Sequence, residues 1–218
     1  MTVARRALAA FDLDGTLTRR DTLLPFLLRA VGRERTGRAV LAESLLLARA
    51  LAGGDYRDSA KAAVLERLLA GLPVEPLAAV AEAFADDVVA RRLRPGMRDR
   101  VEWHRAQGHE LLIISASPEL YVAPIGRRLG FDGVLATRLE VGPDGCLTGR
   151  LLGANTRGPE KVTRLRDWLG AEPLVAWAYG DSRGDREMLA LAETSVRVGR
   201  GWGRSRRAPF PGAAPGGR

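Results

Sequence analysis

A chain of 218 residues, 46% hydrophobic and 28% charged, is long enough to bury a substantial core and has the composition of a globular protein rather than of a disordered or fibrous one. Its formal charge of +8 invites a nucleic-acid reading, but residues 200–218 hold five arginines and no acid, which leaves +3 for the rest and no expected basic binding face there. No apolar stretch reaches the roughly 18 residues of a membrane span, and residues 1–6 run straight into a strand with no room for a cleavable leader, so a cytoplasmic location is expected.

The first element is a strand over Ala7-Leu8-Ala9-Ala10-Phe11, followed at once by Asp12-Leu13-Asp14-Gly15-Thr16-Leu17-Thr18. Open α/β sheets place ligands at the carboxyl ends of their strands, so Asp12 and Asp14 belong at that edge. Two carboxylates this close take up a proton or face a cation. The pair suits phosphoryl transfer with an aspartate nucleophile, a divalent metal and a second aspartate that moves protons. A capped strand-to-helix turn without chemistry is the alternative.

Residues 21–94 show helical periodicity and no convincing strand, with breaks at Gly53-Gly54-Asp55 and Gly71-Leu72-Pro73, and read as an inserted cap of several helices. The apolar stretches at 23–28 and 39–51 read as the cap's own core; an apolar substrate tail or a membrane-surface approach is the alternative. After Arg94-Pro95-Gly96 the α/β pattern resumes. It gives a helix over 99–107, the strand Leu111-Leu112-Ile113-Ile114-Ser115, a helix from near Pro118, and a hairpin of 137–141 and 147–152 about Gly142-Pro143-Asp144-Gly145. A helix with Gly158-Pro159-Glu160-Lys161, a strand over 174–179, a helix holding Glu187 and a last strand follow. This alternation predicts a doubly wound parallel sheet. Cys146, the single cysteine, falls in the hairpin and excludes an internal disulfide. His104 and His109 have no second ligand at metal spacing and read as structural, and Trp103, Trp168 and Trp177 as core. The Arg/Pro/Gly-rich tail, 200–218, cannot build a core and reads as solvated and disordered, with phosphate-backbone binding as the alternative.

Taken in order, Asp12 to Thr18, Ser115 at its strand end, Lys161 in Gly158-Pro159-Glu160-Lys161, and Gly180-Asp181-Ser182-Arg183-Gly184-Asp185 resemble the four signatures of the haloacid dehalogenase-like (HAD) hydrolase superfamily. The resemblance covers residues 6–198. It is strongest to the phosphoserine phosphatase-like subfamily IB, through Ser115-Ala116-Ser117-Pro118-Glu119 and the Lys161 segment. It implies a Rossmann-like catalytic core over 1–20 and 95–199, a helical cap over 21–94, and Mg²⁺-dependent hydrolysis of a small-molecule, partly apolar alcohol phosphate through an aspartyl-phosphate. No nucleic-acid partner is expected. Phosphoserine phosphatase proper, a phosphotransferase with the same intermediate, and a nucleic-acid-binding protein acting through the tail are the alternatives.

The resemblance makes Asp12 the nucleophile and Asp14 the general acid and base. It assigns the metal to Asp12, the backbone carbonyl of Asp14, Asp181 and, directly or through another ligand, Asp185. Asp181 and Asp185 as helix caps are the plain alternative. Gly15 permits backbone that a side chain would obstruct near the phosphate, and Ser115, preferred over Ser117, with the following Ala116 amide would bind a phosphoryl oxygen. Lys161 carries its own argument: the chain has only two lysines, Lys61 and Lys161, against 32 arginines, so a compact ammonium is wanted there to neutralise nucleophile and phosphoryl charge. For the leaving group the matching cap positions are Asp21, Tyr56 and Arg67; the arginine that phosphoserine phosphatases use falls on Ala63, so phosphoserine itself is expected to be a poor substrate.

Overall fold

The computed structural model describes residues 7–43, 56–170 and 175–199. Five parallel strands form the central sheet in the order β3-β2-β1-β6-β7: β1 (Leu8–Phe11), β2 (Glu110–Pro118), β3 (Gly133–Thr137), β6 (Val175–Gly180) and β7 (Thr194–Arg197). A separate antiparallel pair, β4 (Leu139–Val141) and β5 (Leu147–Leu151), makes the hairpin. The doubly wound sheet with an inserted helical cap and a hairpin is therefore present. β1 is flanked on both sides, and its residues alternate between two apolar layers. Leu8 and Ala10 face Leu112, Ile114, Leu165 and Met188, whereas Ala9 and Phe11 face Ile113, Tyr121 and Tyr179. A strand buried on both faces needs an unbroken apolar run, which is why Leu8-Ala9-Ala10-Phe11 shows no polar alternation.

The described residues form eight α-helices. The insertion between β1 and β2 holds α1 (Leu23–Val31), α2 (Arg33–Ala42), α3 (Tyr56–Leu69) and α4 (Val74–Asp87), with a short turn over Val88–Arg92. Around the sheet lie α5 (Met97–Ala106), α6 (Glu119–Leu129), α7 (Pro159–Leu169) and α8 (Arg186–Leu191). Among the described residues, the buried side chains of the insertion share one apolar cluster with those of the sheet. Phe26 of α1 and Phe84 of α4 close on Tyr121 of α6, with ring centroids 4.6 and 5.5 Å from it, so one apolar layer runs from the cap to the sheet. Each such side chain contributes about 1.5–3 kcal/mol on burial, enough to seat the cap firmly on α6. The two connections are stitched together: Thr18 and Leu93 form an antiparallel bridge, Arg19 N–H donates to Arg92 O (3.0 Å) and Arg94 N–H to Leu17 O (2.8 Å). The hairpin closes the other end, where Gly71 N–H donates to Leu147 O at 2.8 Å and Cys146 pairs with Pro73.

Several sequence expectations need correction. The segment read as one hairpin arm over 137–141 divides into the end of β3 and β4, and β3 extends the parallel sheet. Trp168, expected in the core, is 42% exposed and donates Nε1–H to Glu110 across 2.8 Å. Ser115 does not end its strand, which continues to Pro118 with a register shift between the two. Of the apolar cap stretches, Phe26, Leu27 and Ala39 are buried while Leu24 and Leu41 are exposed; residues 44–51, the break at 53–55 and the tail lie outside the described residues. Among the described residues, no helix is long and apolar enough to cross a membrane.

Candidate active site

β1 ends at Phe11, and the Asp12 amide still donates to Tyr179 O of β6 (2.9 Å), so the sheet fixes the start of the acidic turn to within one residue. Asp12 therefore stands at the carboxyl edge between β2 and β6. Beyond it Gly15 takes φ +81°, and a Cβ built there would lie 2.1 Å from Asp181 Oδ2. The glycine gives this turn its left-handed backbone and lets it approach the second acidic loop, a function distinct from the phosphate clearance expected of it.

Lys161, near the start of α7, is buried and donates Nζ–H to Asp12 Oδ1 (2.7 Å), Asp185 Oδ1 (2.6 Å) and the Ile114 carbonyl (2.8 Å). All three ammonium protons thus have acceptors. Asp185 is fixed on its other oxygen by the amides of Asp181 and Ser182 and by Ser182 Oγ, at 2.9–3.2 Å. It forms a capping box with Ser182 on the short turn Arg183–Asp185, whereas its side chain makes no cap hydrogen bond to the helix holding Glu187, so the plain helix-cap role is not what holds it. Gly180 permits this fold-back, since a Cβ there would sit 2.5 Å from Asp185 Cβ.

One carboxylate oxygen from each of Asp12, Asp181 and Asp185 lies within 4.8 Å of the others. Around Lys161 the three acids of this cluster outnumber the ammonium, with Asp12 and Asp185 buried and Asp181 partly exposed to the cavity. Burial drives the Asp12 carboxyl up to about 8 against the pull of Lys161, with Asp185 and Asp14 adding to the rise. Burial and Asp185 also raise Asp181. Asp185 goes down despite its burial, because Lys161 stabilises its charge, and Lys161 goes up for the converse reason. The cluster thus holds either a proton or a cation. Its donor set is all oxygen, the preference of Mg²⁺, and a divalent ion would keep Asp12 ionised; the residues fit that ion.

Asp14 is turned away from this cluster. Its Oδ1 accepts from Thr22 N–H and Oγ1–H, both at 2.7 Å, and its Oδ2 accepts from Ser117 Oγ at 2.5 Å. Burial, then Asp21, lifts it to about 6 against these hydrogen bonds. Ser115 lines the cavity and its Oγ accepts from the Ser117 amide (3.1 Å). The two serines therefore divide the work, and Ser117, passed over in the sequence reading, is the one that touches Asp14. Ala116 also lines the cavity, but its carbonyl is taken by Lys61 and by Thr137 Oγ1 (2.8 Å).

The cavity has a volume of about 600 Å³ and brings together Asp12, Asp14, Gly15, Ser115, Lys161, Asp181 and Asp185. Asp21 also lines it, with Oδ1 accepting from the Leu23 amide (2.9 Å) to cap α1. Arg67 does not: it pairs with Glu43 at 3.0 Å and is absent from the lining, so its proposed contact with substrate is corrected. The side chain of Tyr56 lies outside the described residues. Among the described side chains of α3, the cation that reaches the cavity is Lys61, two residues before Ala63, held by Asn155 Oδ1 (2.8 Å) and the Ala116 carbonyl. Arg94, also unforeseen, ties the acidic turn to the chain leaving the cap through the carbonyls of Gly15 and Thr16. Both histidines pack instead against aromatic side chains of the central strands, His104 against Phe11 and Tyr179 and His109 against Trp177. His104 is fully buried, with Nε2 2.8 Å from Tyr179 OH and Nδ1 2.8 Å from His109 Nδ1.

Comparison with known proteins places this geometry in context. The profile of the haloacid dehalogenase-like hydrolase family matches residues 9–190. Protein CicA of Caulobacter vibrioides (strain NA1000 / CB15N) is 41% identical over 196 residues, spanning 89% of this chain and 87% of CicA. A crystal structure of a protein of unknown function from Bordetella pertussis Tohama I superposes with a TM-score of 0.73 at 31% identity, covering 89% of this chain and 90% of the other. A substrate-bound phosphoserine phosphatase complex shares the fold, with a TM-score of 0.62 at 21% identity over 88% and 86% of the two chains.

Proposed function

The chain belongs to the haloacid dehalogenase-like hydrolases, with a fold consistent with phosphoserine phosphatase-like subfamily IB, and we propose that it is a Mg²⁺-dependent phosphatase of small-molecule phosphomonoesters, with residues 1–20 and 95–199 as catalytic core and 21–94 as the cap that covers the leaving group. The observation that carries this reading is the Lys161 bridge between Asp12 and Asp185 at the carboxyl end of β1, with Asp181 beside it.

In this mechanism an Asp12 carboxylate oxygen forms a bond to phosphorus as the bond from phosphorus to the ester oxygen breaks, leaving an aspartyl-phosphate. Lys161 holds Asp12 in position and offsets charge that builds on the phosphoryl oxygens. Asp14 gives its proton to the departing alkoxide, then takes one from the water that attacks phosphorus, which releases phosphate and restores Asp12. A carboxyl group lifted to about 6 suits both halves of that cycle near neutrality. Ser117 and Thr22 orient Asp14, and Ser115 contacts the phosphoryl group. Asp12, Asp181, Asp185 and the Asp14 backbone carbonyl would hold Mg²⁺, which supplies Lewis-acid stabilisation of the transferring phosphoryl group.

The test is phosphate release from a panel of alkyl and aryl phosphomonoesters with Mg²⁺ and with excess chelator. Metal-dependent turnover that disappears in Asp12→Asn supports the reading. Full activity in chelator or in Asp12→Asn contradicts it.

A further inference from the structure

Six cationic side chains line the cavity against five carboxylates, and they are not equally engaged. Lys161 is held by Asp12 and Asp185, Lys61 by Ala116 and Asn155, and Arg94 by backbone carbonyls including Gly199 O at 3.1 Å. Arg19, Arg20 and Arg157 line the same space, and among the described residues their side chains have no hydrogen bond or ion pair. Several arginines elsewhere on this surface are paired, Arg127 and Arg128 with Glu82, Arg150 with Glu140 and Arg164 with Glu160, and what sets Arg19, Arg20 and Arg157 apart is that they stand unpaired together at one cavity. Arg19 instead stands close enough to Arg94 to repel its charge. Like charges gathered at a concave mouth without a carboxylate in direct contact raise the local potential, and an anion relieves it.

The fold fixes where these groups stand. Arg19 and Arg20 follow the acidic turn at the stitched connection to the cap, with Arg19 N–H on Arg92 O. Arg157 comes from the loop before α7, where its amide donates to Asn155 O (2.7 Å) and its stem packs against Gly184. Asp21, the acid nearest in sequence, is engaged in capping α1. A bound divalent cation and the dianionic phosphoryl group of a monoester balance one another. Six cationic side chains against five carboxylates then leave one net positive charge, and the three unpaired guanidinium groups remain free to meet the part of the substrate beyond the scissile bond.

We propose that Arg19, Arg20 and Arg157 form an anion subsite that selects phosphomonoesters whose leaving group carries a second anionic group, a carboxylate or a phosphate. This rests on the phosphomonoesterase reading above and replaces the partly apolar leaving group expected from sequence. A guanidinium fork binds either anion through paired charged hydrogen bonds.

The experiment compares kcat/KM for three esters of one carbon skeleton: propyl phosphate, 3-phosphonooxypropanoate and propane-1,3-diol bisphosphate. One or both anionic esters should exceed propyl phosphate by about 10- to 100-fold, the range of a charged hydrogen bond or two, and the two arms separate carboxylate from phosphate. In Arg19→Gln/Arg20→Gln and in Arg157→Gln that ratio should fall toward one. Turnover of all three esters at similar kcat/KM by the unmodified protein overturns the subsite and leaves the phosphatase reading standing. A preference that survives both variants undiminished overturns the assignment to these arginines. Absence of turnover with all three esters overturns both readings.

Discussion

Replacing Gly15 by alanine tests whether the two acidic loops act as one site. The substitution adds a single methyl group at φ +81°, where an L residue costs about 1–2 kcal/mol. That strain lowers Tm by about 2–8 °C for a chain of this size. The larger effect is local. The new Cβ would lie 2.1 Å from Asp181 Oδ2 and 2.6 Å from its Cγ, so the carboxylate must retreat by about 1.3 Å to reach ordinary contact, and misplacement of this order costs roughly 100-fold in rate. Asp181 is a side-chain end that can move, so the protein still folds. The assay is a Mg²⁺ titration of initial rate beside a thermal melt. A modest loss of Tm with a greatly raised half-saturating Mg²⁺ and a kcat down about 100-fold is expected. An unchanged Mg²⁺ curve in a folded variant would refute the account of Gly15 and of Asp181 as a ligand.

Lys161→Ala should lower kcat by at least about 100-fold and reduce stability by about 3–5 kcal/mol, because Asp12 and Asp185 lose their buried counter-ion. Lys161→Arg should retain more of both yet remain clearly impaired, since a planar fork cannot reproduce the three acceptors of one ammonium; stopped assays and denaturant melts read these effects. Asp14→Asn should slow alkyl esters by about 100- to 10,000-fold while a nitrophenyl ester, whose leaving group needs no proton, still phosphorylates the protein in a burst assay. Equal losses for both ester types would contradict the role of Asp14. His104 is held down to about 3 by burial, with His109 and Arg100 adding to the effect. The unfolded chain therefore binds one more proton than the folded protein as pH falls from about 6.5 toward 3, and this group's contribution to stability, complete above 6.5, declines by up to ~1.4 kcal/mol per pH unit. Urea unfolding at several pH values should show that slope, and His104→Gln should flatten it.

The reaction was legible in the sequence because its parts lie at strand ends, where short runs such as Phe11-Asp12-Leu13-Asp14 and Tyr179-Gly180-Asp181 carry both the strand and the acid that leaves it. The sheet followed from the same runs, except β3, whose five residues adjoin the hairpin and offer no turn signal between Thr137 and Leu139. Contacts made across the cap were harder to read. Thr22 and Ser117 meet on Asp14 from positions 95 residues apart, and Arg94 reaches Gly15 from the far side of the insertion. No local pattern encodes such meetings. Lys61 did have a signal: the rarity of lysine that singled out Lys161 applied equally to it, and both line one cavity. Arg67 misled because alignment to a cap helix fixes a neighbourhood but not a face, and its face turns to Glu43.

The most direct test of the central claim is to acid-quench the enzyme during turnover, reduce it with borohydride, and map the modified residue by fragmenting the peptides that contain Asp12, Asp14, Asp181 and Asp185. Reduction of an acyl-phosphate leaves a mass change at the carboxylate that carried it. The account predicts the change at Asp12, dependent on both substrate and Mg²⁺ and absent in Asp12→Asn. Steady turnover with the mark on Asp14, Asp181 or Asp185, or with no marked carboxylate under conditions where Asp14→Asn accumulates none either, would contradict it.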